Sequence, residues 1–213
     1  MNRILFNIIL MAGITASVCS AQELKPIQLP PPQIDIGKPL MQVLKSRQSS
    51  RSFDSKPLPA QELSNLLWAA DGINRPESGK RTAPSAMNWQ EVDIYVVVKE
   101  GAYLYDPKSH ALNPVASGDL REATGRQAFT KEAPLNLVYV SDRARMSKAS
   151  DEDKTVWGGA DVGFIAQNVY LYCASQGLAV VVRGMVDRET LAPALKLRAD
   201  QKIILAQTIG YPK

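Results

Sequence analysis

Apolar side chains recur along this chain in two rhythms. From Val156 to Gln176 they fall at Val162, Ile165, Ala166, Val169, Tyr170, Tyr172 and Cys173, the three-and-four spacing of a helix with almost no polar side left. A helix this apolar must be buried, either at the centre of the domain or against a second subunit. Gly158, Gly159, Ala160 and Gly163 allow a close helix approach, and Gly177 caps the end. Leu40 to Lys45 shows one apolar face. After the turn Ser55 to Pro59, a helix opens at Pro59, buries Leu63, Leu66, Leu67 and Ala70, and stops at Gly72. Asp119 to Ala128 and Thr190 to Leu197 predict two further helices.

The second rhythm is that of strands. Val92 to Lys99 is a β-branched run, and Leu135 to Val140 is apolar enough to be central. Leu178 to Val182 predicts a buried strand ending at Arg183-Gly184, and Lys202 to Gly210 a last one. Leu104, Tyr105 and Leu112 flank an Asp106-Pro107 turn and predict a hairpin. Strands and helices mixed without steady βαβ alternation indicate an α+β layered sheet.

Between these elements lie three irregular stretches. Asn74 to Gln90 is a polar loop of the length that usually carries function, and Arg143 to Lys154 reads as solvent-facing or loosely ordered. Gln22 to Pro39 holds prolines at 26, 30, 31, 32 and 39, which forbid helix and predict an extended arm, a tether or a strap across a neighbour. Before it, residues 1–21 carry Arg3, an apolar run and a small-residue end, the pattern of a secretory signal peptide cleaved before Gln22. That implies export to the periplasm, with a lipid anchor at Cys19 as the lesser alternative. The apolar run is too short for a stable membrane span. The remainder, 40–213, is one domain.

Composition then narrows the chemistry. The net charge is +4, and 25 basic residues less Arg3 leave 24 against 21 acidic ones, too mild and scattered for nucleic acid. The cysteines are Cys19 and Cys173 and the one histidine is His110, so a histidine triad or multi-His metal site is nearly excluded. His110 sits in the polar run Asp106 to His110 and reads as a solvated turn residue; Cys173 reads as a small core residue. Trp68 and Trp157 read as core or interface residues. Trp89 reads equally well as a core residue or a substrate platform.

One stretch collects anion-binding groups. In Val43 to Phe53, Arg47 and Arg51 stand four apart with Ser49 and Ser50 between them, so both guanidinium forks can converge on one phosphate. The plainer alternative is an Arg/Ser-rich helix end with no ligand.

Four separated stretches together resemble the flavin-dependent nitroreductase family: S-R-S-F before a proline turn; Leu66 to Asn74 with Arg81 to Asn88; Asp161 to Leu178; and Ile209-Gly210-Tyr211-Pro212. The hairpin Y-L-Y-D-P-K-S-H-A-L with the A-P-S-A loop is most similar to the branch that includes dehydrogenases of peptide azolines. The resemblance implies a three-layer α+β fold with a mainly antiparallel central sheet, an intertwined homodimer, and FMN at the interface. It implies that Arg47, Gln48, Ser49 and Arg51 hold the FMN phosphate and ribityl chain, and that Pro84, Ser85, Ala86 and Asn88 reach the flavin from the other subunit. Arg183 and Gly184 match backbone positions facing the flavin N5 and O4 edge, and Lys213 matches a basic position after the G-Y-P turn. The family's acidic residue before that glycine is replaced by Arg183, whose side chain, facing the ring, would stabilise reduced flavin. The implied activity is two-electron reduction of nitroaromatics, quinones or similar small-molecule acceptors with NAD(P)H or another donor. Dehydrogenation of a small or azoline-type peptide substrate, and flavin binding without turnover, remain the alternatives.

Overall fold

The computed structural model describes residues 23–213, so the expected signal peptide lies outside the described residues. In chain order the elements are β1 (Ile27–Gln28), α1 (Leu40–Ser46), α2 (Ala60–Asp71), β2 (Ile73–Arg75), β3 (Lys80–Arg81), β4 (Val92–Val98), β5 (Gly101–Asp106), β6 (Ala111–Ser117), α3 (Phe129–Glu132), β7 (Leu135–Asp142), α4 (Asp151–Gln176), β8 (Ala179–Arg183), α5 (Arg188–Ala194) and β9 (Gln201–Gly210). Seven strands form one sheet in the order β1-β6-β5-β4-β7-β9-β8, with every neighbouring pair antiparallel. This is the α+β arrangement expected from the sequence, a central antiparallel sheet with helices on its faces.

Alternation along the central strands explains the layering. Ile94 and Val96 of β4 and Leu135, Leu137 and Tyr139 of β7 pack with Leu66, Leu67 and Ala70 of α2 and Val162, Ile165, Val169 and Cys173 of α4. Their neighbours Tyr95, Val97, Val138 and Val140 face the other way, onto Val186, Leu191 and Leu195 around α5. Both faces of β4 and β7 are thus buried, which is why these strands read as nearly continuous apolar runs.

Helix α4 is buried along one stripe only: Gly158, Asp161, Val162, Ile165, Ala166, Val169, Tyr170 and Cys173. On its other side Val156, Trp157 and Phe164 are 57%, 43% and 45% exposed. Ser150 caps its start by accepting from the Asp153 N–H, and Gly177 ends it at φ 74°.

Several expectations are corrected. Asp119 to Ala128 is not a helix; it forms a short 3-10 turn at Glu122–Thr124, broken by an extended Gly125. The cause is tertiary: the Thr124 carbonyl, which a continuing helix would use itself, accepts from the Arg183 guanidinium, and that guanidinium lies against Gly125. Asn74 to Gln90 holds the small β2-β3 hairpin and a 3-10 turn at Ala86–Asn88. Arg143 to Lys154 is ordered by a 3-10 turn and the start of α4, with Arg145 bound to Asp93 and Asp142. The helix expected over Thr190 to Leu197 lies two to three residues earlier because Asp187 caps it. His110 is no solvated turn residue: its Nε2–H donates to Ser64 Oγ (2.7 Å) and its Nδ1 accepts from the Tyr105 hydroxyl (3.0 Å). Ser64 in turn donates to the Pro30 carbonyl, so His110 anchors the proline-rich arm to its own domain. Gln61 to the Pro31 carbonyl and Asn65 to the Gln33 N–H continue that strap.

Candidate functional site

Helix α1 ends at Arg47, and the following residues run beside β8, where the Ser50 N–H donates to the Val180 carbonyl (2.9 Å). The same segment meets the end of the chain, with Phe53 bridged to Pro212 and the Asp54 N–H donating to the Tyr211 carbonyl. Arg47, Gln48, Ser49, Arg51, the end of β8 and Lys213 are therefore brought to one side of the protein. Gln48, Ser49, Arg51 and Lys213 are exposed and Arg47 is half-buried.

What organises this side is Tyr170 of α4. Its ring packs under the Arg47 guanidinium at 5.3 Å, and its hydroxyl meets Ser49 Oγ at 2.8 Å while accepting from the Val182 N–H at 2.9 Å. Tyr170 thus ties the arginine segment to β8. The sequence placed it only in the apolar stripe of α4, although a buried tyrosine hydroxyl requires a partner. Among the described residues neither Arg47 nor Arg51 pairs with a carboxylate. Two uncommitted guanidinium groups beside hydroxyls fit a phosphate.

Arg183 departs from its expected role. Its side chain turns inward, donating to the Thr124 carbonyl (2.6 Å), Asn136 Oδ1 (3.0 Å) and Thr208 Oγ1 (3.0 Å), and is 5% exposed. Burial pulls this guanidinium down to about 10. The side chain therefore braces β8 against β9, β7 and the Thr124 turn instead of facing a ligand. Gly184, the next residue, is exposed.

Pro84, Ser85, Ala86 and Asn88 form a second cluster, away from the first. Met87, Asn88 and Gln90 all adopt positive φ (50°, 56° and 48°), a conformation costing on the order of 1 kcal/mol per residue, so surrounding bonds must hold the turn. The Gln90 N–H donates to Ser85 Oγ (2.8 Å), Ser85 Oγ to Glu91 (3.2 Å), and the Ala86 N–H to Asp161 of α4 (2.9 Å). Behind the turn lies a cleft of about 220 Å³ lined by Asp71, Arg81, Ser85, Asn88, Glu91 and Asp161 among others. Burial, then the Asp161 charge, push the Glu91 carboxyl up to about 7. Burial pushes Asp71 to about 7 as well, even with the Arg81 guanidinium against it.

Asp161 and Tyr170 are nine residues apart on α4, so at 1.5 Å per residue the turn and the arginine segment are anchored about 13 Å apart along the helix. Among the described residues no group of acidic, histidine or cysteine side chains could hold a metal ion, and no helix is long and apolar enough to cross a membrane.

This fold agrees with the comparisons. The profile of the Nitroreductase family matches residues 44–211, and the chain belongs to that family. An assigned nitroreductase of Methanocaldococcus jannaschii is 34% identical over 169 residues, 75% of this chain and 85% of that protein. The crystal structure of an assigned nitroreductase from Ralstonia eutropha is 44% identical with a TM-score of 0.85, covering 92% of each chain. Another, from Desulfovibrio desulfuricans in complex with FMN, is 22% identical with a TM-score of 0.60 over 82% of this chain and 87% of that one, a likeness of fold.

Proposed function

We propose that the protein is an FMN-dependent oxidoreductase that works as a homodimer. The observation that carries this is the pair of uncommitted cations, Arg47 and Arg51, beside the Ser49 hydroxyl that Tyr170 holds in place. Arg47 and Arg51 take the phosphate, Gln48 and Ser49 the ribityl chain, and Lys213 adds positive charge from the chain end. Backbone N–H groups around Arg183 and Gly184 address the ring edge, held in position by the buried Arg183 side chain. Bound there, FMN supplies two-electron chemistry to small-molecule acceptors such as nitroaromatics or quinones, with NAD(P)H or another donor.

The outer side of α4 supports the dimer. It leaves Val156, Trp157 and Phe164 uncovered, and a Cβ at Gly159 or Gly163 would meet nothing within 4 Å. A second copy packed antiparallel along this side carries its own Pro84–Asn88 turn across the 13 Å toward the first copy's arginines, assembling each site from two chains. Oxidation of a small or azoline-type peptide substrate is the second reading, favoured by the β5-β6 hairpin together with the Ala83–Ala86 loop.

Titration of the mature chain with FMN tests the proposal. At a hundredfold excess over Kd the ligand should stabilise the fold by about 2.7 kcal/mol, and Arg47→Ala with Arg51→Ala should abolish the effect. A colourless protein that sediments as one chain and melts identically with and without FMN overturns it. A donor and acceptor panel separates the readings: bound FMN reduced by dithionite but by no organic donor indicates a binding module without turnover.

A further inference from the structure

Glu91 and Asp161 present a problem in hydrogen-bond accounting. Glu91 is wholly buried and Asp161 is 1% exposed, yet Glu91 Oε1 and Asp161 Oδ1 have no donor among the surrounding groups. Their other oxygens are satisfied: Glu91 Oε2 accepts from Ser85 Oγ and Asp161 Oδ2 from the Ala86 N–H. The two carboxyl groups line the same cleft and grip adjacent residues of the turn, which sets them side by side. Two carboxylates in that relation would leave two buried oxygens unpaired and repelling, whereas a single proton between them satisfies both.

We propose that Glu91 donates a proton to Asp161, and that this carboxyl–carboxylate clasp is the positioning device that holds the strained turn from Ser85 to Gln90 in shape. Each half of the clasp grips the turn at a different residue, Glu91 through Ser85 and Asp161 through Ala86. Ser85 passes the restraint on to the Gln90 N–H, closing a ring of bonds around Met87 and Asn88. Removing the shared proton sets two buried negative charges against each other at the carboxyl groups that grip Ser85 and Ala86, and the turn is released.

Other charges nearby do not supply the missing donor. On α2, Asp71 is occupied by Arg81 of β3. At the end of β7, Asp142 gives its N–H to the Glu91 carbonyl while its carboxylate pairs with Arg145 and Arg198. The clasp is protonated below the ordinary carboxylate range in any state. Because Glu91 is held up to about 7 in the folded protein, the contribution of the clasp to stability declines as pH rises from the ordinary glutamate range through that value, and is lost above it.

Its consequence for flavin rests on the reading given under Proposed function. If the turn reaches the partner's FMN, FMN affinity should fall by up to tenfold for each pH unit above about 7, the limit for one linked proton. The test compares the mature protein with Glu91→Gln and Asp161→Asn, either of which replaces the shared proton by an amide N–H. The native protein near pH 6.5 should show the infrared carbonyl band of protonated carboxylic acids, weaker by one group in both variants, where only Asp71 remains. Its thermal stability should decline between about pH 4.5 and 7, and its FMN affinity above about pH 7, more steeply than theirs. Asp71 titrates in the same range and the Glu91 charge helps to raise it, so the comparison is repeated in an Asp71→Asn background, where the clasp is the one such group left in the cleft. No carboxylic acid band, or parallel pH profiles for native and variant proteins, overturns the clasp. A band and a steeper native stability profile without any FMN uptake would keep the clasp and sink the flavin reading. Two variants on opposite partners guard against a folding failure in either one, and if both fail to fold, the presence or absence of the band in the Asp71→Asn protein decides.

Discussion

Replacing Tyr170 by phenylalanine removes one oxygen and keeps the ring under Arg47. The lost hydroxyl serves Ser49 Oγ at 2.8 Å and the Val182 N–H at 2.9 Å, in surroundings where Tyr170 is 7% exposed. A neutral hydrogen bond contributes about 1 kcal/mol, and an N–H left without a partner away from water adds to that, so the change should cost about 2 kcal/mol. For a chain of this size that is a drop of about 4 to 8 °C in Tm of the flavin-free protein. Tyr170→Leu also removes the packing under Arg47 and should cost about 0.5 to 1 kcal/mol more. Ser49→Ala tests the link itself: in a double-mutant cycle with Tyr170→Phe the two changes should couple by roughly 1 kcal/mol, since both delete the same bond. Differential scanning calorimetry with linear denaturant unfolding reads both quantities. A Tyr170→Phe protein that melts within about 1 °C of its parent, with additive effects in the cycle, would show that Tyr170 does not organise the arginine segment.

Three other perturbations follow from the packing. Gly125→Ala drives a methyl group into the Arg183 guanidinium and should destabilise by about 1 to 3 kcal/mol in a urea titration; no change would mean the Thr124 turn moves freely. Burial lowers His110, so the folded protein favours neutral imidazole; on protonation Nδ1 can no longer accept from the Tyr105 hydroxyl, so the support His110 gives the arm is full at neutral pH and weakens as pH falls below the ordinary histidine range. Thermolysin cleavage within the arm, before Ile34 or Ile36, should therefore quicken on acidification relative to an unfolded control and be fast at every pH in His110→Ala; a rate independent of pH in both proteins would refute this. Phe164→Arg places a charge on the uncovered side of α4 and should give single chains by analytical ultracentrifugation without changing the far-UV spectrum; a persistent dimer would put the interface elsewhere.

The parts of the fold that were legible in the sequence are those whose signal lies within one element. Strand β7 is buried at every position and apolar at most of them because both of its faces are covered, and α2 carries its stripe and its stop at Gly72 openly. What escaped depends on partners far along the chain. Gly125 looks compatible with a frayed helix until Arg183, 58 residues later, is seen lying against it. His110 looks like one more polar turn residue, because Ser64 and Pro30, which give it a purpose, come from α2 and the arm. At the site, the arginines announced themselves by spacing, but the residue that arranges them, Tyr170, was hidden in a helical stripe. Glu91 and Asp161 left a trace that could have been followed: an acid directly before a β-branched run, and another inside an apolar helix, each need a reason to be buried.

The arm and the arginine segment share a consequence at the two margins of the sheet. β1, the short strand of the arm, covers β6 at one margin, and the Ser50–Phe53 stretch, which is no regular strand, lies beside β8 at the other. Bare margins of this kind recruit strands from other molecules. A chain begun at Leu40 would keep its helices and most of its interior, yet leave Ala111 and Leu112 open to self-templating. Such a shortened protein should be recovered as aggregates more than as an unfolded chain, which makes the proline-rich stretch a guardian of solubility as well as a strap.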